Sequence, residues 1–202
     1  IWRMRILFRF LGLATVCNLL LLSTPGLAAT HYVWTNSPAD GPGADWANAF
    51  HTIQSAVDVA ASGDTVLVTN GVYATGARIT PWYASLSNRV VITNSILVQS
   101  VNGPGVTVIQ GRGPVGAQAV RCVYMSAGTL SGFTLTSGAT FTNGDSAYDQ
   151  SGAGAYAWGG VLTNCWLTGN SAVYYGGGAY RGTLNNCVLS NNVARNGGGA
   201  DA

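Results

Sequence analysis

The 202-residue chain is charged at only 8% of its positions, with nine basic residues, seven acidic ones and a formal net charge of +2. Every basic residue is Arg and every acidic one is Asp. Against a usual charged fraction of about 25%, this sparse charge excludes an electrostatic binder of nucleic acid. Gly at 28 positions, among many Asn, Ser, Thr and Val, argues against helices, whose surfaces favour Lys, Glu and Gln. It argues instead for strands and corners.

Arg3, Arg5 and Arg9 open the chain, an apolar run spans Phe10 to Leu22, and small residues lead to Gly26-Leu27-Ala28-Ala29. That three-part order predicts a secretory signal peptide over 1–29, with Met4 as its start. The apolar run is short for a transmembrane anchor, and Val16 suits lipid attachment at Cys17 poorly. The mature chain, 30–202, then holds six Arg against seven Asp. It is expected to be secreted, periplasmic or on the outer cell surface, with no transmembrane segment.

Tyr32-Val33-Trp34 reads as a strand and 38–44 as a loop rich in Pro, Gly and Asp. A helix is predicted over Thr52–Ala61, because Ile53, Ala56, Val57 and Ala60 fall on one apolar stripe, with Gly63 as its C-terminal cap. Thr65 to Val68 reads as a strand closed by a turn at Asn70-Gly71. Further Val- and Ile-rich runs at 89–93, 96–99, 106–110 and 122–125 alternate with Gly, Pro, Asn and Ser.

From Leu130 the sequence repeats itself. Leu162-Thr163-Asn164-Cys165-Trp166-Leu167-Thr168-Gly169-Asn170 matches Leu184-Asn185-Asn186-Cys187-Val188-Leu189-Ser190-Asn191-Asn192 at a spacing of 22 residues. A fainter copy, Leu130 to Gly138, has Gly132 where the others have Asn164 and Asn186, and Gly138 where they have Asn170 and Asn192. Gly and Asn enter the left-handed backbone region cheaply, so both positions are predicted corners. Each copy is followed by a Gly-rich element: Gly152 to Tyr156, Gly176 to Tyr180, Gly197 to Asp201. The first interval is ten residues longer, which predicts an excursion over 140–151. Such a period marks a solenoid whose units bury apolar surface only against their neighbours. The Leu spacing also approaches a leucine-rich repeat, but that architecture wants a helical turn where three consecutive Gly stand. A parallel β-helix does not. Cys165 and Cys187 share one repeat position with Phe133, which favours buried thiols as core residues; a disulfide between them is the alternative.

These residues carry a resemblance. The entry segment, Asp45-Trp46-Ala47, Thr52-Ile53-Gln54-Ser55-Ala56-Val57, Gly63-Asp64-Thr65-Val66 and Gly71-Val72-Tyr73, resembles the amino-terminal cap of secreted right-handed parallel β-helix proteins of the pectin-lyase-like class. The back half, with Gly177-Gly178-Ala179-Tyr180 and Leu167-Thr168-Gly169-Asn170, is similar to the repeats of polymorphic outer membrane proteins. The resemblance implies an all-β, right-handed parallel β-helix solenoid with a short N-terminal capping helix. Its cap would occupy about 30–75 and its coils about 76–202, with the solenoid cut off at the C-terminus. It also implies either a structural or adhesive module at the cell surface or the first part of a polysaccharide lyase or glycoside hydrolase.

No catalytic residue is assigned from the sequence. Asp145 and Asp149, in the excursion, are the only close carboxylate pair and the candidate metal ligands; calcium is the one cofactor that pair suggests. Trp166, Tyr174, Tyr175 and Tyr180 are the candidate carbohydrate-binding residues, with a polysaccharide or cell-surface glycan as partner. Asp58, off the apolar stripe of its helix, is expected to be solvated. His31 and His51 have no partner at nucleophile or metal spacing.

Overall fold

A computed structural model describes residues 27–81 and 85–202. All but the end of the expected leader, 1–29, lies outside the described residues. The chain is mostly β, with a single helix among the described residues and three predominantly parallel sheets. The first sheet contains β1 (Thr30–Val33), β2 (Thr65–Val68), β6 (Leu97–Ser100), β9 (Thr129–Ser131), β12 (Val161–Thr163) and β15 (Thr183–Asn185), in that order. The second contains β3 (Gly71–Tyr73), β7 (Thr107–Gln110), β10 (Thr134–Thr136), β13 (Trp166–Thr168) and β16 (Val188–Ser190). In the third, β4 (Arg78–Ile79) precedes β5 (Ser87–Ile92), β8 (Val120–Met125), β11 (Ala155–Ala157), β14 (Ala179–Tyr180) and β17 (Ala200–Asp201). All three sheets are open. From β5 onward the chain visits the third, first and second sheets in strict rotation, and among the described strands β4 and β5 form the one antiparallel strand pair, beside an isolated antiparallel bridge between Arg112 and Val120. This order is compatible with a β-helix-like fold.

Register explains the alternation in sequence. Val66, Val98, Leu130, Leu162 and Leu184 lie side by side in the first sheet. Tyr73, Ile109, Leu135, Leu167 and Leu189 do so in the second, and Val90, Val123, Ala155, Ala179 and Ala200 in the third. Nearly all of these belong to one continuous apolar core. Each apolar side chain thus meets its equivalent in the next turn of chain, about 4.8 Å away. No helix lies between Asn170 and Leu184, so the leucine-rich alternative is set aside.

The helix α1 (Ile53–Val59) packs against β1, β2 and β5 and covers the first end of the core. Thr52 caps it by accepting from the Ser55 N–H. Its C-cap is Ala60, not Gly63 as expected. Gly63 instead takes its left-handed φ of 97° in the following turn, where its N–H donates to Ser95 O. No helix of the described residues is long and apolar enough to cross a membrane.

The first predicted corner holds: Gly132, Asn164 and Asn186 have φ of 80°, 53° and 51°, and Asn186 Nδ2 donates to Asn164 Oδ1 at 2.6 Å. The second is corrected by one residue. Ser137, Gly169 and Asn191 take the left-handed φ, while Asn170 turns inward and is 1% exposed. Its Oδ1 accepts from Gly138 N–H, and its Nδ2 donates to Leu135 O and to Asn192 Oδ1. Asn192 Nδ2 in turn donates to Leu167 O. Asn stands there because an amide both donates and accepts, so one side chain satisfies both an N–H and a carbonyl of the turn before. The Gly-rich elements follow from the same contact. A Cβ on Gly154 would collide with the Gly178 carbonyl, and one on Gly178 with that of Gly199, each also pressing on an inward Asn.

Candidate functional site

The structure separates the four proposed sugar-binding aromatics. Tyr180 sits on the outer face of the third sheet, in register with Val91, Tyr124 and Tyr156. The rings of Tyr124 and Tyr156 stack at 5.4 Å, and Tyr156 meets Tyr180 edge-on at the same distance. Tyr148, from the excursion, and Tyr175 cover this ladder, each stacked at 5.4 Å. Tyr180 is consequently 6% exposed and Tyr156 0%, so neither offers a face to a ligand. Burial raises the ionisation of both Tyr124 and Tyr156 above the ordinary phenol value. Tyr174 lies edge-on to Tyr175 at 4.5 Å, with the Arg195 guanidinium 5.4 Å from its ring. Tyr124, Tyr148 and Tyr156 were not singled out from the sequence. The signal available was Tyr124 and Tyr156 preceding equivalent turns, blurred because the longer interval shifts the spacing.

Trp166 stands elsewhere, on the outer face of the second sheet, and is 45% exposed. Val188 lies beside it in register, and Thr168 and Ser190 form the next row, their hydroxyls 3.0 Å apart. Together they line a shallow cavity of about 420 Å³. An exposed indole next to paired hydroxyls, with no charge in the lining, suits a ligand that has both an apolar face and hydroxyl groups.

The excursion is held by a residue the sequence reading passed over. Arg121, at 0% exposure, donates to the carbonyls of Gly152, Tyr148 and Ser151, to Asn88 Oδ1 and to Thr80 Oγ1. Burial lowers its ionisation to about 10, and nearby Tyr156 and Asp149 work against that shift. An Arg at the start of a Val-rich strand was the available clue, since a cation placed there needs many acceptors.

Asp145 and Asp149 do come together, as caps for backbone N–H groups. Asp149 Oδ1 accepts from Ser85 N–H at 2.9 Å and Leu86 N–H at 3.0 Å, and its Oδ2 from Asp145 N–H at 3.1 Å. Asp145 Oδ1 accepts from Ala147 and Tyr148 N–H. Calcium takes six to eight oxygen ligands, whereas three of these four carboxylate oxygens already accept backbone bonds. No group of three or more His, Cys, Asp or Glu that could hold a metal occurs among the described residues.

Other titratable groups organise the amino-terminal end. Asp64 accepts from the N–H groups of Ala29 at 2.7 Å and Ala61 at 2.8 Å, and lies 3.0 Å from His31 Nε2. Those bonds, Ala29 first, then His31, hold its carboxyl down to about 2. The His31 pairing was hidden because its partner is 33 residues away. His51 Nε2 lies 3.1 Å from Ser37 O. Asp58, expected to be simply solvated, is exposed yet pairs with Arg78 and accepts from Gln54 Nε2 at 2.8 Å. No family model, no curated protein and no solved structure matches the chain.

Proposed function

We propose that the chain is an exported right-handed parallel β-helix of the pectin-lyase-like class that serves as a structural or adhesive module at the cell surface, binding a neutral glycan along its side. The strict rotation of the chain through three sheets supports the fold assignment. The observation that carries the binding role is the Trp166 groove with its paired Thr168 and Ser190 hydroxyls. Sugar rings stack their C–H faces on indole while their hydroxyls exchange hydrogen bonds at the rim. Strands hold these side chains, and a site on rigid elements loses little entropy on binding. The polymorphic outer membrane protein likeness of the Gly-Gly-Ala elements supports a surface role.

The test is a panel of neutral and acidic glycans read by calorimetry, with purified chain and Trp166→Ala. The expected result is binding of a neutral glycan that weakens about tenfold or more, about 1.4 kcal/mol, in the variant at an unchanged melting temperature. Binding that survives Trp166→Ala, or no binding across the panel, overturns the assignment of this groove.

A further inference from the structure

We propose that Cys165 and Cys187 form an oxidation site: a readily reversible disulfide linking two consecutive turns of chain, made by exchange with a small-molecule disulfide. The inference does not depend on the glycan-binding role. Trp166 pairs with Val188, and Val188 N–H donates to Cys165 O at 2.9 Å, so the two cysteines stand directly opposite each other. Each follows an Asn in the same left-handed conformation, with φ of 53° and 51°. The two backbones therefore run alike and aim their side chains the same way. Cys187 Sγ points back toward the preceding turn, reaching Leu162 O at 3.6 Å, as Cys165 Sγ reaches Leu130 O. The two thiols also make matching contacts nearby, Cys165 Sγ at 3.3 Å from Thr163 O and Cys187 Sγ at 3.4 Å from Asn185 O.

The thiols are not equivalent. Cys165 is 0% exposed, while Cys187 is partly accessible. The interaction between the two thiols, reinforced by burial, raises the ionisation of Cys165, and the same interaction lowers that of Cys187. Cys187 is thus the attacking sulfur. Its thiolate attacks one sulfur of glutathione disulfide, forming a mixed disulfide and releasing one glutathione. The Cys165 thiol then gives its proton to solvent, attacks Cys187 Sγ and releases the second glutathione. Two protein thiols are oxidised and one glutathione disulfide is reduced to two thiols.

Geometry sets how stable the product is. Neighbouring parallel strands lie about 4.8 Å apart, inside the Cα separation a disulfide accepts, but its Cβ atoms prefer about 3.8 Å. The bond must draw the two turns together, and strained disulfides are the reducible ones. Cys122 offers an internal contrast: buried, bonded to Thr136 O, and with burial pushing its thiol up to about 12.

The experiment treats the folded chain with glutathione disulfide and maps linkages by tryptic mass spectrometry, because Arg181 separates the two cysteines. A Cys122→Ser background removes the other thiol from the Cys165 peptide. The expected result is a loss of two hydrogen masses and a 165–187 linkage in that background. The linkage should open in millimolar reduced glutathione and be absent in Cys187→Ser, which leaves the core side of the pair intact. Three results would each overturn the proposal: thiols that stay reduced, a stable glutathione adduct at Cys187, or a linkage that forms only after denaturation.

Discussion

The amino-terminal end and the repeats are both stacks of short strands, yet polar residues hold them by opposite strategies. In the repeats the same side chain recurs at the same place: Asn164 on Asn186, Asn170 on Asn192, Thr168 on Ser190. Near the start and around the excursion, single unrepeated side chains do the work. Gln54 behaves like a short piece of edge strand, accepting from Val91 N–H at 2.7 Å and donating to Val91 O at 3.3 Å. Asp64 ties β1 to the turn after α1, and Arg121 gathers the excursion. A ladder shares its load among equivalents; a one-off anchor has no understudy.

Breaking the largest anchor should therefore cost most. Arg121→Met roughly keeps the volume but strips three carbonyls and Asn88 Oδ1 of their guanidinium donor, and each buried acceptor left unpaired costs about 1–3 kcal/mol. We expect a loss of about 3 kcal/mol or more in chemical denaturation. Because its carbonyl partners Tyr148 and Ser151 lie in the excursion, hydrogen exchange should speed up there first. A loss under 1 kcal/mol would show that the excursion holds itself.

Within the ladders, position should decide. Asn170→Ala removes a buried amide serving Gly138, Leu135 and Asn192 and should cost about 2 kcal/mol. Asn186→Ala acts at an exposed corner and loses one bond to Asn164 plus left-handed tolerance, about 1 kcal/mol. Equal melting temperatures for the two variants would contradict the inward ladder.

The smallest expected effect is one of pH. Asp64 ionises in the folded chain at about 2, against an ordinary value of 3.8, so its contribution is complete above pH 4 and fades as pH falls toward 2. Asp64→Asn should flatten the stability profile in that window alone. An unchanged slope would mean that Asp64 does not govern the acid limb.

The repeats were legible because period and register are one thing: a Leu every 22 residues lands on a Leu, and the core positions follow. The corner at Asn164 was readable from Gly–Asn exchange, which reports left-handed φ. Asn170 was misread by the same rule, since Gly138 stands there for a different reason: its lack of a Cβ leaves room for the Asn170 amide and the Ala153 carbonyl. The site was far less legible. Burial of Tyr180 depends on Tyr148 arriving from an excursion with no repeat to compare it with, and Asp149 finds its donors 63 and 64 residues away. Long-range pairs between unlike residues leave no periodic trace.

The shared register has a consequence for how such a chain changes in length. Removing 161–182 would splice Gly160 onto Thr183 and set Leu184 on Leu130, Leu189 on Leu135 and Asn192 beneath Gly138, every partner of the same kind as before. Losing one residue more or fewer would move Leu out of the interior and Thr into it. Insertions and deletions here are quantised: whole turns can be copied or dropped with little disturbance to the rest of the stack, while single-codon slips are severe.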